Sequence, residues 1–214
     1  MFEHLYDQLM NDVDYDALYQ QIKTYLNPDD MILDAGCGSG YFLVELMKHQ
    51  HHVIGIDISS AMLSLAQNHL VEEGLHAPLF EHDLRQPLSL KVDVVLMMFD
   101  VVNYFKGVKQ VFKHVKHSLN PMGKFIFDVY KEDVLMTYDG YLEKESIPID
   151  YEWTIHTKDR VMIHRVTAFN QTDQIIQYVY PLEYYLDILN HLGFNVLTYP
   201  SIDSRKHLVV ATLR

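Results

Sequence analysis

One eight-residue segment constrains this chain more than any other. Leu33-Asp34-Ala35-Gly36-Cys37-Gly38-Ser39-Gly40 follows a short apolar run, Met31-Ile32-Leu33-Asp34, and precedes Phe42, Leu43, Leu46 and Met47 at helical spacing. The run reads as a buried strand and the second stretch as a helix over 39–49. Glycines between them allow a tight turn and a close approach of backbone to a ligand. The helix N-terminus beyond the turn favours a carboxylate or phosphate.

The same alternation continues downstream. Apolar strands are predicted at 53–58, 77–83, 92–99 and 124–129. Helices lie between them, one carrying Met62, Leu65, Ala66 and Leu70, another Val108, Val111, Phe112 and Val115. Ser59 or Ser60 can cap the first of these. Asn120-Pro121-Met122-Gly123 reads as a turn. Continuous apolar strands alternating with helices indicate a doubly wound, mostly parallel sheet covered on both faces. Residues 3–26 read as two helical pieces broken near Asn11–Asp14.

The pattern changes near residue 131. Tyr151, Trp153 and Ile155 alternate with Glu152, Thr154 and His156, and strands follow at 161–169 and 175–180. This is the signature of a small antiparallel insertion after strand five, over 131–180, lying on the site of a core made of 1–130 and 181–214. Pro181 opens a helix, Gly193 stops it, and two strands close the chain.

Composition narrows the function classes. Seventeen Lys+Arg against 29 Asp+Glu give a net charge of −12, which argues against bulk nucleic acid as a partner. Cys37 is the single cysteine, so neither a disulfide within the chain nor a Cys-based zinc site is available. No secretory signal and no apolar stretch of spanning length is present, so the expectation is a cytoplasmic protein with no membrane partner. His49-Gln50-His51-His52 reads as a solvated turn. His114 and His117 can share a helix face, but neither set has an evident partner, and no metal is expected.

Two acids sharpen the glycine turn. Asp57 ends the second strand, where an acid can take two ribose hydroxyls. Asp83 ends the third, where a carboxylate can accept from an adenine amino group. The glycines run G-x-G-x-G, and Tyr41 fails the third place of the dinucleotide fingerprint. The turn therefore suits an amino-acid carboxylate and a nucleoside better than a pyrophosphate, and a nicotinamide oxidoreductase fits poorly.

With Asp57, Asp83 and the closing strand pair, the 33–40 segment resembles the class I S-adenosylmethionine-dependent methyltransferases. The antiparallel insertion resembles the layout of glycine N-methyltransferase. The opening Tyr6-Asp7-Gln8-Leu9-Met10-Asn11-Asp12, with Asp14-Tyr15, is similar to an uncharacterised group of bacterial methyltransferases. The resemblance implies a Rossmann-like, seven-stranded α/β sheet and S-adenosylmethionine as cofactor. It implies that Gly36, Gly38 and Gly40 shape the methionine-side loop, with backbone from Ala35 and Cys37. Asp57 would hold the ribose, with Ile58 and Met62 on the adenine and Asp83 with Leu84 at its amino edge. Met98 and Phe99 would flank the methionine portion, and Tyr6 and Tyr15 would close over it.

The expected reaction is in-line N- or O-methylation of a small-molecule acceptor, by a monomer or homodimer. Asp100, Asn103 and Tyr104 follow strand four and are the candidates for orienting the acceptor. Asp100 and Asn103 could equally cap the next helix. Arg165 either binds an acceptor carboxylate or reaches solvent. The alternative from another class is a non-catalytic module that senses S-adenosylmethionine or S-adenosylhomocysteine.

Overall fold

The computed structural model describes residues 2–10, 13–147 and 149–214. Asn11 and Asp12 of the opening motif lie outside them. The chain starts with α1 (Phe2–Met10) and α2 (Tyr15–Ile22), the latter capped by the Asp14 carboxylate, which accepts from Ala17 N at 2.8 Å. A single 3₁₀ turn follows.

Five strands then alternate with helices. They are β1 (Met31–Ala35), β2 (His52–Asp57), β3 (Leu79–Glu81), β4 (Val92–Met97) and β5 (Leu119–Tyr130). The helices are α3 (Tyr41–Lys48), α4 (Ser60–Glu72) and α5 (Lys109–Ser118). After α6 (Val134–Thr137) come β6 (Tyr141–Glu145), β7 (Tyr151–Lys158), β8 (Val161–Ala168) and β9 (Gln171–Tyr178). The chain ends with α7 (Leu182–His191), β10 (Phe194–Pro200) and β11 (Lys206–Leu213).

The main sheet has seven strands in the order β10-β11-β5-β4-β1-β2-β3. β1 to β5 run parallel, and β11 is antiparallel to both its neighbours. Side chains alternate across the sheet, and both faces are apolar because both are covered. Leu33 of β1 packs with Phe112 of α5 and Tyr185 of α7, whereas Ile32 packs with Leu18 of α2 and Leu43 of α3.

Strands β6 to β9 form a second, antiparallel sheet in simple meander order. Tyr151, Val166 and Ala168 of this sheet bury Leu5 of α1, so the N-terminal helix packs on the insertion.

Several boundaries differ from the sequence reading, each for a backbone reason. β4 stops at Met97 because Phe99 and Asp100 adopt φ 60° and 55°, which no strand accommodates. The 120–123 turn is instead an irregularity inside β5, where the register against β4 shifts and Met122 takes φ 63°. β3 covers only 79–81, and β6 has no counterpart among the predicted strands. His51 is buried rather than solvated and meets the Tyr19 hydroxyl at 3.2 Å. His114 is buried while His117 is exposed. Arg165 is also exposed, on the outer face of β8, so the choice left open for it resolves towards solvent.

Candidate active site

The site grows from the end of β1. Gly36 and Cys37 donate their N–H groups to Ile56 O at 2.7 and 3.0 Å, which folds the turn onto β2. Gly36, Gly38 and Gly40 all have positive φ, at 85°, 54° and 84°. They are not equivalent. A Cβ on Gly36 would lie 2.7 Å from Val101 Cγ2, and one on Gly40 would lie 2.8 Å from Ala66 Cβ. A Cβ on Gly38 would meet only the Tyr6 ring, at 3.9 Å. Gly36 and Gly40 thus permit protein packing, while Gly38 leaves room open.

Asp57 secures the loop. Its carboxylate accepts from Gly38 N at 2.9 Å and Ser59 N at 2.8 Å. Ser59 in turn caps α4 through its hydroxyl, which accepts from Met62 N. Burial pushes the Asp57 carboxyl above its ordinary range, although these N–H donors oppose the shift. Asp34 is more extreme. Burial, with the nearby Asp57 charge second, pushes it to about 7, and its Oδ2 is buried without a hydrogen-bond partner. Burial also pushes the Cys37 thiol up, which leaves it a poor nucleophile.

These groups line a cavity of 690 Å³. Of the residues singled out from sequence, Gly36, Cys37, Gly38, Gly40 and Asp57 form its floor. Ile58, Met62, Asp83 and Leu84 line it too, as do Tyr6, Tyr15, Phe99 and Tyr104. Asp83 is engaged, because Arg85 donates to it from both its backbone N and Nε at 2.9 Å, and this side-chain bond holds the carboxyl below its ordinary range.

Ala35 and Met98 are absent from the lining. Both are buried in the core, Met98 among the residues packed under α2 and α3, so they support the wall from behind. Asn103 is also withdrawn. It is fully buried, its Nδ2 donates to Tyr178 O at 2.8 Å, and its Oδ1 accepts from Tyr130 N at 3.3 Å. Its amide is spent on joining the segment after β4 to β5 and β9.

A second cavity of 560 Å³ adjoins the first, and Tyr6, Phe99, Tyr104 and Ile175 line both. Asp100 faces this second space. Its backbone N donates to Asp128 Oδ1 at 2.5 Å, and its carboxylate receives Lys206 Nζ at 2.5 Å and Gln177 Nε2. Lys206 Nζ also lies 3.4 Å from Asp128 Oδ2 and 5.1 Å from the Tyr130 ring centre. Burial opposes the Lys206 charge, yet the two facing carboxylates hold it well above the ordinary lysine range. Burial pushes Asp128 up, against the pull of Lys206.

Lys206 and Asp128 are not legible as site residues in the sequence. The signal for Asp128 is an acid inside the apolar 124–129 strand. Nothing linear links it to a lysine at the start of β11.

Known proteins bear on this geometry. Residues 32–123 match the family model described as a methyltransferase domain. With the sheet order and the glycine loop, this match supports reading the chain as a class I S-adenosylmethionine-dependent methyltransferase. The chain is similar to YqeM of Bacillus subtilis (strain 168), which is named as a methyltransferase, at 28% identity over 91% of this chain and 85% of that one. Its fold is shared with a S-adenosylmethionine-dependent methyltransferase from Clostridium acetobutylicum at TM-score 0.83 and 23% identity, over 99% of this chain and 97% of that one. It is shared also with the sugar N-methyltransferase KedS8 from a Streptoalloteichus species, at TM-score 0.82 and 18% identity over 100% and 93%. Among the described residues no helix is long and apolar enough to cross a membrane.

Proposed function

We propose that the protein methylates a small-molecule acceptor, with the cofactor in the glycine-loop cavity and the acceptor in the cavity beside it. The observation carrying this reading is that two cavities share the wall formed by Tyr6, Phe99 and Tyr104. A sensing module needs only the first.

The residues fit S-adenosylmethionine. The open face of Gly38 leaves space for backbone approach, and the orphaned Asp34 Oδ2 is an acceptor suited to an ammonium group. Asp57 would take the ribose hydroxyls. Ile58, Met62 and Leu84 supply apolar contact for a base, and Asp83 an acceptor for its amino edge. Tyr6 and Tyr15 would close the methionine side. When bound, the cofactor supplies a methyl group on a sulfonium, poised for in-line displacement.

The protein's own tasks are alignment and exclusion of water. Burial raises the Tyr6 phenol well above its ordinary value, with Tyr104 the next cause. Burial does the same to Tyr104, with Asp100 the next cause. Both therefore stay neutral at the shared wall and serve to position rather than to act as bases. The 131–180 insertion would form the outer wall of the acceptor space.

The test is calorimetric titration of the purified chain with S-adenosylhomocysteine, with NADH as control. Micromolar binding of the first and none of the second is expected. No binding of S-adenosylhomocysteine by folded protein would overturn the placement of the cofactor.

A further inference from the structure

The second cavity carries more acid than base. Asp100, Asp128, Glu143 and Asp203 line it, against Lys206 and Arg205. Both cations are already engaged. Arg205 pairs with Asp203 at 2.7 Å and donates to the Tyr138 hydroxyl. Lys206 serves two carboxylates at once, which leaves one negative charge over in that cluster. Glu143 has no cationic partner among the described residues. Its two oxygens accept from the Tyr141 and Tyr151 hydroxyls, and the first of these bonds is the main reason the Tyr141 phenol is pushed up to about 12.

The neighbouring buried groups add no cation. Gln177 is 3% exposed, and its Nε2 is spent on Asp100. His164 lies beside it, 6% exposed, with Nδ1 accepting from Trp153 Nε1 at 3.2 Å, so its Nε2 carries the ring proton. Burial holds this imidazole below its ordinary range, despite the opposing Asp100 charge and a side-chain hydrogen bond with Gln177. The ring is therefore neutral at pH 7 and adds no positive charge. Phe99, Tyr130, Tyr138 and Trp153 surround the space with aromatic faces, which attract cations.

We propose that this cavity receives a small amine as its ammonium ion, which makes the methyl acceptor an amine rather than a carboxylic or phosphorylated molecule. The ammonium gives one proton to the Glu143 carboxylate, and the freed nitrogen lone pair forms the N–C bond as the methyl carbon's bond to sulfur breaks, leaving S-adenosylhomocysteine. The proposal rests on the reading of the neighbouring cavity as the cofactor's. An ammonium group brings the positive charge that Glu143 and the Asp100–Lys206–Asp128 cluster leave unmatched. An anion would meet that surplus of negative charge in a desolvated space and be repelled.

Three probes of one carbon skeleton test this: cyclohexylamine, cyclohexanol and cyclohexanecarboxylate, titrated at pH 7.5 into the full chain saturated with S-adenosylhomocysteine. The amine should bind about tenfold tighter than the alcohol, and the carboxylate not measurably. In Glu143→Gln the amine should fall to within about threefold of the alcohol, with S-adenosylhomocysteine affinity unchanged. The proposal is overturned if the alcohol or the carboxylate binds as well as the amine. It is overturned equally if no probe binds, or if a folded Glu143→Gln keeps the full preference. Should that variant prove unfolded by circular dichroism, the three probes on the native chain decide alone. Failure of S-adenosylhomocysteine to bind folded protein would instead sink the cofactor reading, and this proposal with it.

Discussion

The two cavities share a wall but are built in different ways. The glycine-loop cavity draws its floor from two short stretches, 34–41 and 57–62, with His82, Asp83 and Arg85 added from just after β3 and Tyr6, Tyr15, Tyr104, Lys106 and Tyr178 from further off. The second cavity takes residues from α1, α2, the segment after β4, β5, the insertion and the approach to and start of β11. In the first, backbone N–H groups meet one carboxylate across a tight turn. In the second, a lysine is held between acids 106 and 78 residues away in sequence. A local site is held by its own turn, whereas a dispersed one depends on the whole fold being in place. Damage to the first should therefore appear in cofactor affinity, and damage to the second in stability.

The hardest test of that contrast is Lys206→Met. It leaves Asp100 and Asp128 buried without their cation. Breaking a buried pair on one side costs about 3–5 kcal/mol, or on the order of 10 °C in Tm for a chain of this size. Without the lysine both carboxyls would titrate higher in the folded chain than in the unfolded one. The folded variant then binds the extra protons, so its deficit should shrink as pH falls towards the ordinary carboxylate range. Adding Asp128→Asn should restore part of the loss at pH 7.5. Thermal melts between pH 4.5 and 8 check both expectations. A variant as stable as the native chain at pH 8 would mean the cluster is not the anchor its geometry suggests.

Asp57→Ala should do the reverse and spare the fold. Gly38 N and Ser59 N lose their acceptor but lie beside an open cavity where water can replace it. Losing charge-assisted bonds to a ribose should cost about 2–3 kcal/mol, a fall of roughly 30- to 150-fold in S-adenosylhomocysteine affinity. Calorimetry beside a thermal melt separates the two effects. Unchanged affinity would show the ribose to lie elsewhere.

The same difference decides what the sequence discloses. The glycine turn, Asp57, Ile58 and Met62 are legible because residues close in the chain are also close in space, and turn chemistry restricts which residues can stand there. The seven-stranded sheet is legible for a similar reason, since apolar strands alternate with helices of clear period. Its ends are harder to read. The positive φ of Phe99 and Asp100 cuts β4 short, and hydropathy does not report that. Asp100 was singled out for its place after β4, yet its partners Lys206, Asp128 and Gln177 emerge only when β5, β9 and β11 come together. Asn103 shows the opposite error, a polar residue in the right segment whose amide turns inward to backbone groups. Glu143 is not legible because β6 carries too weak an alternation to be read as a strand.

Asp34 sits where the local site meets the core, and pH separates its two roles. Its folded pKa of about 7 exceeds the ordinary value of 3.8, chiefly through burial. The folded chain therefore holds a proton there that the unfolded chain has lost. This contribution to stability is complete below pH 4 and disappears as pH rises through 7. Asp34→Asn should melt close to the native chain at pH 4.5 and several degrees above it at pH 8, at roughly 2–4 °C per kcal/mol. The variant should also bind S-adenosylhomocysteine more weakly, having lost its anionic acceptor. Asp57 is the second cause of the shift, so Asp57→Ala should move the Asp34 window to lower pH. A pH-independent difference between Asp34→Asn and the native chain would mean this carboxyl titrates normally.

The smallest effect belongs to the edge of the first cavity. Asp83 and Arg85 form an exposed pair two residues apart, with the Arg85 side chain 65% accessible. Such a pair contributes little to stability, so Arg85→Ala should leave Tm unchanged. Its consequence should lie in binding. The guanidinium occupies the carboxylate that the adenine amino group would use, and removing it frees both oxygens. S-adenosylhomocysteine should then bind no worse and up to about threefold tighter, and salt should mimic the change in the native chain by screening the pair. The control is the analogue carrying hypoxanthine in place of adenine, whose ring offers an oxygen where the amino group stood. Arg85→Ala should widen the preference for the amino form, and Asp83→Asn should narrow it. If neither variant alters the ratio of the two affinities, Asp83 is a loop charge bound to its neighbour, and the adenine is read by the apolar groups alone.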